Sequence, residues 1–213
     1  MKKNGYVRRF LALFLTLVMI MADSSVTTFA ATVGMVKQQN GDEQQAAEGE
    51  NQKKVYTYED SKVIVTATLE NADAVPDNAN FVVTKMNAKD HQDDYAYAEQ
   101  MLKEYEEAEN VLYDSYLIYD MHFEDENGNE IEPEDGQVSV NISYKKAQKL
   151  SEETTEDSVQ VLHLDENKEQ LEDVTDSVEL NSKGKLEEVT LTTESFSIFV
   201  IASQSKAEIE VEP

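Results

Sequence analysis

The sequence predicts a mainly β fold: an antiparallel, β-sandwich-like single domain with one amphipathic helix. Three observations predict it. Between residues 54 and 203, short stretches alternate apolar and polar residues, the pattern of strands with one wet face. One segment, 91–112, abandons that period for a helical one. The two ends, 1–53 and 204–213, carry neither period.

Residues 1–30 come first. MKKNGYVRR holds Lys2, Lys3, Arg8 and Arg9, an apolar run spans Phe10 to Ala22, and DSSVTTFA follows. Basic, apolar, then small is the order of a secretory signal peptide. As a helix the run would span only about 20 Å, against a hydrocarbon core of roughly 30 Å. Cleavage after Ala30 is therefore favoured over retention as an anchor. No later stretch is long and apolar enough to cross a membrane, so no stable membrane anchor is expected after cleavage. Residues 31–53 are rich in Gln, Glu and Gly and read as a disordered acidic linker. Residues 54–203 form the expected module, and 204–213 an acidic tail.

Within the module, KVIVTATL (62–69) sets Val63, Val65, Ala67 and Leu69 on one face against Lys62, Thr66 and Thr68. FVVTKM (81–86) is a further candidate strand. HQDDYAYAEQMLKEYEEAENVL (91–112) lacks Gly and Pro, and Ala98, Met101, Leu102, Tyr105, Ala108 and Leu112 recur at helical spacing. Asp93 and Asp94 suit the start of that helix. YLIYDMHFE (116–124) and VSVNISYK (138–145) alternate cleanly. A helical turn is expected within 145–153. VQVLHL (159–164), VTDSVEL (174–180) and LEEVTLT (186–192) complete the alternating set. SFSIFVIA (195–202) is apolar on both faces, so it should be a central strand covered on both sides.

Charge excludes several functions. The chain has 44 acids against 18 basic residues; without residues 1–30 it has no Arg and a net charge of −29. Such a chain repels phosphate backbones and anionic membranes, so nucleic acid is not an expected partner. There is no cysteine, which removes thiol catalysis, Cys-ligated metals, disulfides and a lipidated cysteine.

The segment FEDENGNEIEPEDG (123–136) packs seven carboxylates around two Asn and two Gly. Asn127-Gly128 is a hairpin signal, and Ile131 with Pro133 suggests a short extended return at a sheet edge. Asp125, Asn127 and Asn129 occupy positions 1, 3 and 5 of an EF-hand-like pattern, leaving a calcium loop as one reading. Against it, the glycine falls at position 4 and Gly136 stands where a bidentate Glu is needed. As a plain turn, its acids should repel one another, so neutralising Asp125 and Glu126 is expected to be neutral or mildly stabilising.

His91, His122 and His163 lack zinc-helix spacing, though His122 and His163 could approach each other between strands. No GxSxG elbow, phosphate-cradling glycine loop or HExxH is present, and there is no Trp for sugar stacking. Tyr95, Tyr97, Tyr105, Tyr113, Tyr116 and Tyr119 cluster, as a contact patch or as helix-to-sheet packing. No catalytic, cofactor-binding or metal-ligating set is expected.

Three stretches share an order. YDMHFEDENGNEIEPEDGQVSVNISY (119–144), VQVLHLDEN (159–167) and VTLTTESFSIFVIA (189–202) resemble, in sequence and spacing, β-rich modules of large exported surface proteins of Gram-positive gut bacteria. The resemblance covers roughly residues 60–202. It implies an extracellular, adhesin-like β-sandwich module without catalytic residues. Lys–Asn isopeptide staples occur in related adhesin domains, but 195–202 holds no Asn. The sequence reaches Pro213 without an LPxTG-like motif, so covalent wall sorting is not expected. The expected function is a secreted or loosely surface-associated interaction module with an unknown extracellular protein or glycan as partner. A calcium- or carbohydrate-dependent binding protein is the alternative.

Overall fold

The structure, a computed structural model, describes residues 53–205 except 135 and 166–168. The expected signal peptide, all but the last residue of the expected linker, and most of the tail lie outside the described residues.

In chain order the strands are β1 (Lys54–Glu59), β2 (Val63–Leu69), β3 (Asn80–Lys85), β4 (Tyr113–Glu124), β5 (Glu130–Ile131), β6 (Val138–Gln148), β7 (Val159–Asp165), β8 (Gln170–Asp173), β9 (Thr175–Leu180), β10 (Leu186–Thr193) and β11 (Ile198–Gln204). One helix, α1 (Gln92–Glu109), lies between β3 and β4. The first sheet runs β1-β2-β6-β10-β9 and the second β3-β4-β11-β7-β8, with β5 pairing the end of β4. The pairings within both sheets are antiparallel.

Period-two alternation explains the layering. In β2 and β6 the buried residues are Val63, Val65, Ala67, Leu69 and Val138, Val140, Ile142, Tyr144. They meet Tyr119, Met121, Phe123, Phe199 and Ile201 of the second sheet in one core. The second sheet is apolar on its other face too. There Ile118, Leu162, Leu164, Ile198, Val200 and Ala202 form a second core with Ala98, Met101 and Leu102 of α1. The order is therefore sheet, sheet, helix. This accounts for the doubly apolar 195–202: β11 lies mid-sheet between β4 and β7, with Phe199 and Ile201 facing one core and Ile198, Val200 and Ala202 the other.

Two expectations need correction. The segment 145–153 holds no helical turn. Residues 145–148 extend β6, where Gln148 pairs with Leu186 across a bulge. Leu150, 8% exposed, then tucks into the core. The helix ends earlier than expected because Asn110 takes a left-handed conformation (φ 55°) and its backbone N–H returns to the Glu106 carbonyl. Leu112 is consequently exposed beyond the helix, and Ala108, still within its last turn, is exposed rather than part of its packed face. β1 and β8 add two strands to the expected set. β8 is four residues long and buries only Leu171, too little to show a period.

Candidate functional site

The acidic hairpin between β4 and β5 is a three-residue loop. Gly128 N–H donates to the Asp125 carbonyl (3.0 Å), and Asp125 N–H donates to the Asn129 carbonyl (2.9 Å). This is a type I turn closed by a left-handed glycine. Only Gly128, φ +77°, takes positive φ; Asn127 does not, so the turn differs from the type implied by both Asn-Gly residues flipping. The Asp125 carboxylate accepts from Asn127 N–H (2.8 Å), Asn129 N–H (2.8 Å) and the Asn129 side-chain amide (2.9 Å). Those donors hold its pKa at about 2. Asp125 thus fastens its own turn, and Asn129 spends its amide on Asp125. Among the described residues, no group of three or more His, Asp or Glu is arranged to hold a metal ion.

The like-charge expectation for this loop is thereby reversed for Asp125. A carboxylate with a depressed pKa contributes stability above its unfolded value near 3.8, and that contribution disappears as the pH falls toward about 2. Asp125→Ala should lower Tm at pH 7, and the gap from the parent should close near pH 2. Gly128→Val should lower it as well. Beyond its two chain neighbours nothing stands within 4 Å of where a Cβ would sit, so the loss is backbone strain, about 1–2 kcal/mol. Thermal melts of the two variants across pH check both; a pH-independent gap for Asp125→Ala would refute the capping role.

His122 is the most perturbed histidine. It sits on the outer face of β4 between Asp120 (Nδ1–Oδ1 3.1 Å) and Glu124 (Nε2–Oε1 3.3 Å), with its side chain 13% exposed. Glu130 of β5 pairs with Glu124 and adds negative potential. Chiefly through the Asp120 hydrogen bond, and against the opposing effect of burial, its pKa rises to about 9. The imidazolium is thus the form present at neutral pH, bridging carboxylates that would otherwise repel. A raised pKa means stability fully present below the unfolded value of 6.5 and lost as pH rises through about 9. Allowing for screening of its partly exposed partners, the loss is about 1–2 kcal/mol. His122→Gln should flatten the stability profile between those pH values in urea melts; an unchanged slope would refute the bridge.

His163 does not approach His122. The two point to opposite faces of the second sheet, since His163 is paired with Phe199 and stacked on its ring at 4.5 Å inside the sandwich. His91 begins α1. Ser197 Oγ lies 3.1 Å from His163 Nε2 and 2.7 Å from the Leu164 carbonyl. This serine–histidine pair, invisible in sequence, resembles nucleophile and base. The shorter contact directs the hydroxyl proton to the Leu164 carbonyl, leaving Nε2–H to donate to Oγ. A histidine donating to the serine is not poised to deprotonate it, so the pair ties β7 to the start of β11.

Five of the six clustered tyrosines, Tyr95, Tyr97, Tyr105, Tyr113 and Tyr116, pack between α1 and the second sheet. Tyr119 faces the other core and is 2% exposed. Tyr116 bonds Glu99 and Tyr113 bonds Gln160, and burial drives both phenol pKa values up. At the far end of β4 from the hairpin lies a shallow depression of about 540 Å³, edged by Asp114, Lys149, Glu152 and Gln204.

The outer face of the first sheet is a polar surface. Register aligns Thr57, Thr66, Asn141, Thr190 and Ser177 in one row across five strands, and Thr68, Ser139 and Thr192 in the next. Asn141 donates to Thr190 Oγ1 (3.2 Å), and Thr192 donates to Asp176 (2.7 Å). The signal was present as Thr-x-Thr and Ser-x-Asn-x-Ser, but only pairing brings those residues into rows. The helix lies on the other sheet. No family model matches the chain, and neither a curated protein nor a solved structure does.

Proposed function

We propose that this chain is a non-enzymatic interaction module, exported by a Gram-positive bacterium and secreted or held at its surface, that binds an extracellular protein or glycan. The observation that carries the reading is the hydroxyl-rich outer face of the first sheet. Its Thr, Ser and Asn side chains are half-exposed or exposed, they repeat at strand spacing, and they offer donors and acceptors to a broad polar partner. The order of basic, apolar and small residues in 1–30 supports export, and the three ordered stretches between 119 and 202 support the adhesin-like assignment. The net charge of −26 argues for a neutral or basic partner and against nucleic acid.

Fractionating cells and medium with an antibody to residues 54–203 tests the export half. The protein should appear outside the cytosol with Ala31 at its N-terminus. Intact Met1 in a cytosolic fraction would overturn it. For the binding half, Thr66→Lys with Thr190→Lys should leave the melting curve in place and abolish retention on immobilised glycan or protein panels that hold the parent.

A further inference from the structure

We infer that β1 is an open docking edge and that its occupant is β1 of a second copy, joined antiparallel about Thr57 so that the first sheets of two molecules become one. The two sheets have four edge strands. Each carries a device against edge pairing. β3 turns the charged Lys85 inward over the Tyr119 ring. β8 is four residues long and lies beside α1. β9 pairs across two register shifts and exposes Asp176 and Glu179. β1 has the weakest: its inward Lys54 lies over the Tyr56 ring but is neutralised by Asp77 (3.0 Å), and its exposed Glu59 is paired with Lys145. The strand is six residues long, with no Pro, an unbroken register with β2, and an exposed Val55 at 59%.

The hydrogen-bond phase fixes which groups are open. Asp60 N–H donates to the Val63 carbonyl, so along β1 the even residues turn their backbone groups to β2 and Val55, Thr57 and Glu59 turn theirs outward. Among the described residues those outward groups have no backbone partner.

Two-fold antiparallel pairing requires facing residues whose numbers sum to an even value, so that inner faces stay inner. Centring on Thr57 satisfies this and uses every open group. Thr57 faces Thr57, Val55 faces Glu59, and each such pair exchanges both N–H···O bonds. The side chains agree. On the inner face Tyr56 comes opposite Tyr58, and Lys54, held in its own molecule by Asp77 (3.0 Å), comes opposite Asp60, so no like charges face each other. The chain as a whole is strongly acidic, yet 53–62 holds three Lys against two acids, so the repulsion expected between copies is absent at this edge.

The lack of any native cysteine makes the register directly readable. In full-length protein, Thr57→Cys places two sulfurs on residues about 5.5 Å apart, within disulfide reach. It should crosslink under mild oxidation at least about tenfold faster than the equally exposed Ser177→Cys on β9, because pairing concentrates the facing thiols. Val55→Cys should not crosslink to itself, its copies lying about 13 Å apart, but should crosslink to Glu59→Cys when the two are mixed. Thr57→Pro removes an outward N–H and none to β2, so it should abolish dimer in sedimentation equilibrium while the protein still melts cooperatively. Equal rates for the residue 57 and 177 cysteines, self-crosslinking at 55 as fast as at 57, or a parent that stays monomeric at every concentration would overturn the inference.

Discussion

Deleting residues 195–213 leaves a chain with no cooperative thermal transition. The deletion removes β11, which pairs with β4 on one side and β7 on the other; without it the second sheet splits in two. It also removes side chains from both cores at once: Phe196, Phe199 and Ile201 between the sheets, and Ile198, Val200 and Ala202 beneath α1. Truncating one large buried apolar residue costs about 2–5 kcal/mol, and a domain has roughly 5–15 in total. Several such losses, with two strands left unpaired, exceed that reserve. Calorimetry and near-ultraviolet circular dichroism of the truncated chain check this. A sharp transition with native-like heat would show that the strand is peripheral.

Phe123→Ala should cost about 3–5 kcal/mol and lower Tm by roughly 10 °C or more. Phe123 is fully buried, and its ring meets those of Tyr56 (5.0 Å), Phe81 (5.1 Å) and Phe196 (5.2 Å), mostly edge-on. These come from β1, β3 and the segment before β11, and Phe123 itself from β4, so one side chain joins both sheets and cannot be replaced by local collapse. Phe196 Nα–H is held by Glu132 (2.9 Å), which leaves its neighbour little freedom to fill the space. Phe123→Leu, which keeps most of the volume, should lose about half as much. Urea denaturation of both variants gives the comparison; a loss below about 1 kcal/mol for the alanine variant would mean that the cluster relaxes into the cavity.

The fold class, most of the strands, the helix and the central position of 195–202 are legible in the sequence. Each of these depends on period, and period is a property of neighbouring residues along one chain. Three things were settled only by tertiary structure. Which strands neighbour one another turned Thr66, Asn141 and Thr190, far apart in the chain, into one polar row. Hydrogen-bond phase made Asp125 the fastener of its turn rather than a repelling acid, and gave Val55, Thr57 and Glu59 the outward groups of an open edge. Sheet face sent His122 to the carboxylates outside and His163 to Phe199 inside, separating two histidines whose strand positions alone allowed them to meet. The reason is common to all three: alternation along a strand fixes two faces, but which face is buried, and what lies across it, depends on residues contributed from elsewhere in the chain.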